Sequence, residues 1–268
     1  MVVRPAGRLG AAAAGSYARW VRLLCISDIH GHADALAAVL ATAERRGHTH
    51  LLVAGDLCFP GPKALETWRR LMQAQATCVQ GITDRALATL DIKNVRPRSD
   101  HERERLVRLE QMRVELGELI IARLARLAPI FRMPLEDGKE LILVHGSPAD
   151  PLEPITHDMS DDEVLTLLGD DPADIVVCGG SHVPFDRTVA GVRIINVGSV
   201  GEAPCGDRAD ADPAPGSTPG GEPRPWSRHA DATFIELRAG VLGVEQIVVP
   251  LGKIGLTAWP AKTVFPQE

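Results

Sequence analysis

The stretch Leu23-Leu24-Cys25-Ile26-Ser27-Asp28-Ile29-His30-Gly31-His32 constrains this chain more than any other. A short apolar run ends abruptly in an acid, a histidine and a glycine. Such a run suits a strand buried on both faces of a parallel sheet, and in open α/β sheets ligands gather where strands reach their carboxyl ends. Extended chain alternates its side chains with period two, so Asp28 and His30 are expected to point the same way. One carboxylate and one imidazole then reach one metal ion. Taken alone, the pair is equally compatible with a turn acid and a surface histidine.

The rest of the chain repeats this grammar. A helix is predicted at 33–46, with Leu36, Val39, Leu40 and Ala43 at helical spacing and Gly47 as its stop. The strand at 51–54 ends in Gly55-Asp56. A helix at 63–73, with Leu65, Trp68 and Met72 on one stripe, leads to a short strand at 77–79 and then to Gly81-Ile82-Thr83-Asp84-Arg85. Asp84 reads as the cap of a short helix at 85–90. After a break at Pro97-Arg98, the spacing of Leu106, Leu109, Met112, Leu116, Leu119 and Leu127 predicts one long amphipathic helix over 100–127. Its arginines at 103, 105, 108, 113, 123 and 126 alternate with acids, which predicts a solvated ion-pair face.

Strands at 130–133 and 140–144 flank the turn Glu136-Asp137-Gly138, and the second ends in His145-Gly146-Ser147-Pro148. A helix with an acidic start at 160–168 precedes a strand at 174–178 that ends in Gly179-Gly180-Ser181-His182. Strands at 187–189 and 193–197 close in Gly198-Ser199-Val200-Gly201, and two more are expected at 233–237 and 241–249. That glycine-flanked serine is no nucleophile elbow, because Val197 stands where the elbow needs glycine. It reads as a tight turn beside the site. No Walker-type or dinucleotide glycine loop follows any predicted strand.

At 268 residues, 45% hydrophobic and 24% charged, the chain suits one globular domain, expected over 20–254. Flexible tails are expected at 1–19 and 255–268. The segment 203–230 is rich in Pro and Gly and poor in apolar residues, so it is expected to be a disordered insertion. A net charge of −6 without a basic stripe gives no footprint for nucleic acid. The five cysteines form no Cys-x-x-Cys pair, and Cys25, Cys78 and Cys178 sit in apolar runs, as reduced thiols of a cytoplasmic protein would. The Ala11 to Ala14 tract is too short for a secretory signal, and no stretch approaches the ~20 apolar residues of a membrane span. Oligomeric state leaves no mark on the sequence.

Five predicted strand ends carry, in order, Asp28 with His30, Asp56, Thr83 with Asp84, His145 and His182. Oxygen and imidazole donors on rigid sheet ends suit a divalent cation such as Mn²⁺, Fe or Zn²⁺. With the flanking runs Ser27-Asp28-Ile29-His30-Gly31, Leu143-Val144-His145-Gly146-Ser147-Pro148 and Val183-Pro184-Phe185-Asp186-Arg187, this order resembles the calcineurin-like metallophosphoesterases, especially their small bacterial phosphodiesterase branch. The family pattern runs Asp-x-His, Gly-Asp, Gly-Asn followed by His, Cys or Thr and then Asp, a His-Gly, and Gly-His-x-His. The resemblance covers roughly 22–201 and the closing strands, and it implies an α/β fold of four layers, an α/β/β/α sandwich with metals at the sheet edges.

Carried over residue by residue, the resemblance implies that Asp28, His30 and His182 ligate a first metal. It implies that Asp56 bridges two metals and that His145 ligates the second, making these two the catalytic pair of the second half. Two positions depart from the pattern. Ile82 stands where the family has Asn and offers no lone pair, and Gly180 stands where it has the first histidine. Both losses fall on the second metal, so one tightly bound cation and a weakened second are expected. Thr83, Ser181 and His32 are further candidates to contact metal or phosphate.

Two functions follow from the resemblance. One is a metal-dependent phosphoesterase that hydrolyses a small phosphate mono- or diester with metal-activated water. The other is a catalytically degenerate member acting as a metal- or phospho-ligand-binding module. A third possibility, an unrelated sandwich whose acids and histidines are structural, is disfavoured by the five residues retained together.

Overall fold

The computed structural model describes residues 21–135, 138–170, 173–204, 229–238 and 241–252. The expected tails, residues 205–228 of the expected insertion, the turn residues Glu136 and Asp137, and Cys205 lie outside them. In chain order the elements are β1 Val21–Ile26, α1 Ala33–Arg46, β2 His50–Val53, α2 Ala64–Gln73, β3 Thr77–Cys78, α3 Ile82–Thr89 and α4 Asp100–Leu124. They continue with β4 Ile130–Pro134, β5 Glu140–Val144, α5 Asp161–Leu168, β6 Ile175–Cys178, β7 Phe185–Val189, β8 Val192–Asn196, β9 His229–Arg238 and β10 Val241–Pro250.

The strands form two five-stranded sheets, ordered β10-β9-β1-β2-β3 and β4-β5-β6-β8-β7. β1, β2 and β3 run parallel in the first, and β5, β6 and β8 run parallel in the second. Side-chain alternation builds four layers from these sheets. Leu23 and Cys25 of β1 and Leu52 of β2 face Leu141, Leu143, Ile175, Val177 and Ile195 of the other sheet. Their neighbours Leu24, Ile26 and Val53 turn the other way, under Leu36 and Val39 of α1, Trp68 and Leu71 of α2, and Leu109 and Met112 of α4. On the far side, Ile142, Val144, Val176 and Ile194 pack beneath Val164, Leu167 and Leu168 of α5. The architecture is the α/β/β/α sandwich expected from the sequence, and a strand sandwiched on both faces explains why β1 reads as an unbroken apolar run.

Several local expectations change. α4 is not one uninterrupted helix to residue 127: Gly117 adopts φ 75° and ψ 160°, and the helix ends at Leu124. The break shifts the helical phase, leaving Leu119 72% exposed while Leu124 is buried. Nor are the arginines of α4 only an ion-pair face. Arg103 does pair with Asp100, but Arg108 donates to the carbonyls of Pro60 and Gly61, and Arg113 donates to those of Ala86, Leu87 and Leu90. A guanidinium reaches several carbonyls at once, here those near the end of α3, of which Ala86 O also accepts from Leu90 N–H. β9 starts at His229, ahead of the expected residue 233, and pairs with β1 through Thr233 to Leu237. Cys25, Cys58, Cys78 and Cys178 are free thiols, and burial pushes Cys78 and Cys178 up to about 12. Among the described residues no helix is long and apolar enough to cross a membrane.

Candidate metal centre

The parallel strands of both sheets end on one rim, and the loops that leave it carry the five residues expected to ligate metal. Asp28 and His30 follow β1, Asp56 follows β2, His145 follows β5 and His182 follows β6. Asp28 and His145 are fully buried, His30 and Asp56 nearly so, and His182 is half-buried. The convergence of Asp28 and His30 does not come from strand pleat, because β1 ends at Ile26. It comes from left-handed backbone: Asp28, His30, Asp56 and His182 have φ of 53°, 49°, 55° and 61°. Only two other non-glycine residues among those described, Gln75 and Ala190, share that region. The conformation costs on the order of 1 kcal/mol for a residue with a Cβ and persists where surroundings enforce it. Here backbone hydrogen bonds do so: Asp28 N–H donates to Gly55 O at 3.1 Å, His30 N–H to Asp56 O at 2.9 Å, and Gly201 N–H to Asp28 O at 3.0 Å.

Two donor groups share Asp28. One joins Asp28, His30 and His182, the other Asp28, Asp56 and His145, and within each the candidate ligand atoms lie inside 4.8 Å of one another. Asp28 Oδ1 is 3.1 Å from His182 Nε2 and 3.6 Å from His30 Nε2, and the two Nε2 atoms are 3.3 Å apart. Asp56 Oδ2 lies 3.8 Å from His30 Nε2 and 3.7 Å from His145 Nε2. The other face of each group is tied down. His30 Nδ1 is 2.6 Å from Phe59 O, and His145 Nδ1 is 2.7 Å from Ala54 O. Each Nδ1 therefore carries the proton and each Nε2 turns inward, the orientation that metal-binding histidines take when a second partner holds the ring. Asp28 Oδ2 accepts from Gly180 N–H at 2.9 Å, and Asp56 Oδ1 accepts from Thr83 N–H at 2.8 Å.

His145 Nε2 and Asp28 Oδ1 are buried without a well-formed hydrogen bond. Interior polar atoms are rarely left so, and a cation would account for both. The electrostatics agree. Burial would raise the Asp28 carboxyl, but the charges and hydrogen bonds of His182 and His30, with His145, hold it well below the usual range. Burial would lower His30, His145 and His182, but the carboxylates around them raise all three. The cluster favours positive charge at its centre, which a divalent ion would supply in exchange for protons. Oxygen and imidazole donors suit Mn²⁺, Fe or Zn²⁺ alike.

The further candidates separate. Thr83 contributes its N–H to Asp56, while Ser181 Oγ is engaged with Val183 O and Asn196 Nδ2. His32 is buried beside the site, with burial pushing it down to about 4. His32 belongs to neither donor group. Asp84 is not the cap before a helix at 85–90. It sits in the first turn of α3, which starts at Ile82, and its carboxylate accepts from the N–H groups of Asp56, Leu57 and Gly81 at 2.8, 3.0 and 3.0 Å. Its burial, and then the Asp56 charge, raise it to about 6. Ile82 occupies the first position of α3, one residue before the Thr83 N–H that grips Asp56. A Cβ added at Gly180 would lie 3.4 Å from His145 Nε2, so both departures border the Asp56 and His145 side.

One site residue escapes the sequence pattern. Glu202, whose side chain is 11% exposed, places Oε2 3.8 Å from His30 Nε2 and 3.8 Å from His182 Nδ1. The chain does carry a signal for it: like Asp28 and Asp56, it is an acid just past the end of a buried apolar strand, here β8 and its glycine turn.

A family model described as calcineurin-like phosphoesterase superfamily domain matches residues 21–211. Among solved structures, the fold is similar to a hypothetical protein from Pyrococcus horikoshii OT3, at 19% identity and TM-score 0.65 over 87% of this chain and 89% of that one. It is also similar to a metallophosphoesterase from Sphaerobacter thermophilus, at 22% identity and TM-score 0.60 over 85% of this chain and 88% of the other. At these identities the likeness is one of fold. No curated protein matches significantly.

Proposed function

Since this chain belongs to the calcineurin-like phosphoesterase superfamily, we propose that it hydrolyses a small phosphate mono- or diester with metal-activated water, using the five residues gathered on the sheet rim. Asp28, His30 and His182 hold a first divalent cation. Asp56 is shared with a second position, which His145 serves as the remaining donor. Divalent cations bound there polarise a phosphoryl oxygen and lower the pKa of a coordinated water. The chain's own residues aim and neutralise: Phe59 O and Ala54 O fix the His30 and His145 rings, and the N–H of Thr83 and the carboxylate of Asp84 fix Asp56 and its backbone.

The observation that carries this reading is the inward set of imidazole Nε2 atoms around two buried carboxylates, with His145 Nε2 left unpartnered. The test is cleavage of bis(p-nitrophenyl) phosphate by the purified protein with Mn²⁺. Turnover should vanish with chelator and return on adding metal. A second reading is favoured by Ile82 and Gly180: a degenerate member that binds metal or a phosphorylated ligand without turnover. Tight metal binding with no hydrolysis of any phosphoester would select it.

A further inference from the structure

We propose that Glu202 orients His182: its carboxylate accepts a hydrogen bond from the ring Nδ1–H and so keeps Nε2 aimed at the first cation, as a positioning residue that does not touch metal. The inference rests on the metal-dependent reading above and adds to it a residue outside the pattern that led there. It starts from an inequality among the three histidines. His30 and His145 are each fixed from behind by a backbone carbonyl on Nδ1, at 2.6 and 2.7 Å. Among the described residues no carbonyl takes that place at His182, whose side chain is 25% exposed against 5% and 1% for the other two. The group that stands there is Glu202, with Oε2 3.8 Å from Nδ1. Metal-binding histidines commonly give their outer N–H to a carboxylate, which fixes the ring and raises its basicity.

Proton placement decides between the two imidazoles that Glu202 approaches. His30 carries its proton on Nδ1, toward Phe59 O, so its Nε2, 3.8 Å from Glu202 Oε2, has none to donate. His182 turns Nε2 to Asp28 Oδ1 at 3.1 Å, and with that nitrogen given to metal its proton lies on Nδ1, facing Glu202. The remaining gap closes by a turn of the long Glu202 side chain or through one water. The backbone that carries it is already fixed. Glu202 N–H donates to Ser199 Oγ at 2.8 Å, and Ser199 Oγ donates to Asp28 O at 2.9 Å. Gly201 N–H donates to the same Asp28 carbonyl at 3.0 Å, and Val200 N–H donates to Ser27 O at 3.0 Å. Gly201 is required for that approach, since a Cβ there would stand 2.3 Å from Ile29 O. The turn after β8 is thus stitched directly onto the Asp28 loop, so Glu202 and Asp28 meet the two nitrogens of His182 from one rigid frame, as a supporting shell must. The glycine-flanked serine thereby gains a structural role, because Ser199 ties Glu202 to Asp28.

Two variants test this. Glu202→Gln keeps an oxygen that accepts from Nδ1–H, whereas Glu202→Ala removes the acceptor. Titration calorimetry with Mn²⁺ should show Glu202→Ala weakened by about 10- to 100-fold, the range for losing an outer partner, and Glu202→Gln within about threefold of wild type. Proton NMR of the Zn²⁺-loaded protein supplies a second readout. The His182 Nδ1–H resonance should be seen in wild type and in Glu202→Gln and be lost to water exchange in Glu202→Ala; its persistence in Glu202→Ala would sink the proposal. If both variants weaken alike, the negative charge of Glu202 and not its hydrogen bond is what counts, and the proposal fails. It fails equally if both bind as wild type. Wild-type protein that binds no Mn²⁺ at all would instead overturn the metal-dependent reading itself.

Discussion

On the side of the site toward β6 and β8, Asp28, His30 and His182 converge with donor atoms 3.1 to 3.6 Å apart, and Glu202 closes on them. On the side toward α3, Asp56 and His145 join the shared Asp28, with Ile82 and Gly180 at their borders. The supports do not follow the donors. Asp56 is still gripped by Thr83 and backed by Asp84, and His145 is still held by Ala54 O. Asp84 holds the backbone N–H groups of Asp56, Leu57 and Gly81, so the frame of this half is kept by bonds that also stabilise the fold. The difference supports a division of labour: one half holds its cation with protein donors alone, and the other offers a rigid but incomplete seat that water or a phosphate oxygen completes.

The largest test of that division is His182→Ala. It removes an imidazole from the stronger half, and hydrolysis should fall at least ~1000-fold in kcat/KM, or about 4 kcal/mol of transition-state stabilisation. Undiminished turnover would mean that the two halves have been ranked the wrong way round. Next comes restoration. Ile82→Asn with Gly180→His should raise bound Mn²⁺ from about one toward two per chain, as a two-ion site requires. Elemental analysis after gel filtration reads this directly, and a stoichiometry that stays at one would show that positions 82 and 180 do not border the second seat. Gly180 has φ 72°, so histidine there bears a strain of roughly 1 kcal/mol. Asp28, His30 and His182 bear the same strain already.

What is legible in the chain, and what is not, divides along physical lines. The layers are legible because β1, β2, β5 and β6 are apolar on both faces, and that pattern is local. The five residues at the rim are legible because each follows such a strand. Their conformation is not: period two places Asp28 and His30 together for the wrong reason, and left-handed backbone does the work of pleat. Glu202 escapes because its partners lie 172 and 20 residues away, and its local signal, an acid beyond a buried strand, is set farther from the end of β8 at Asn196 than Asp28 and Asp56 are from theirs. The arginines of α4 mislead for a related reason. Charge alternation describes an isolated helix, whereas Arg108 and Arg113 answer to carbonyls on other elements.

Asp84 tests the supports of the weaker half. Asp84→Ala leaves three buried N–H groups without their acceptor, and unfolding in urea should register a loss of about 3 kcal/mol, given roughly 1 kcal/mol or more for each. The pH dependence has a definite sign. Asp84 is raised to about 6 in the folded chain, above the roughly 3.9 of an unfolded aspartate. Between these values the folded state binds more protons, so through this group stability is greatest at low pH and declines as pH rises from about 4 to about 6. Comparing metal-free wild type with Asp84→Asn across that window isolates the effect: the stability of wild type relative to the variant should decrease with pH. An increase would show that the N–H groups of Leu57 and Gly81 outweigh burial.

The smallest expected effect lies at the opposite end of the same helix. Arg113 donates to the carbonyls of Ala86, Leu87 and Leu90, near the end of α3 remote from Thr83 and Asp84. Arg113 is partly exposed, so in Arg113→Ala water replaces some of what is lost. The cost should be about 1 kcal/mol, seen as a fall of ~3 °C in Tm for a chain of this size. Metal affinity should not change, because the grip on Asp56 comes from the first turn of α3 and does not depend on how its last turn is satisfied. If Mn²⁺ binding weakens along with Tm, α3 transmits strain from end to end, and the clamp from α4 becomes part of what holds the weaker half of the site in shape.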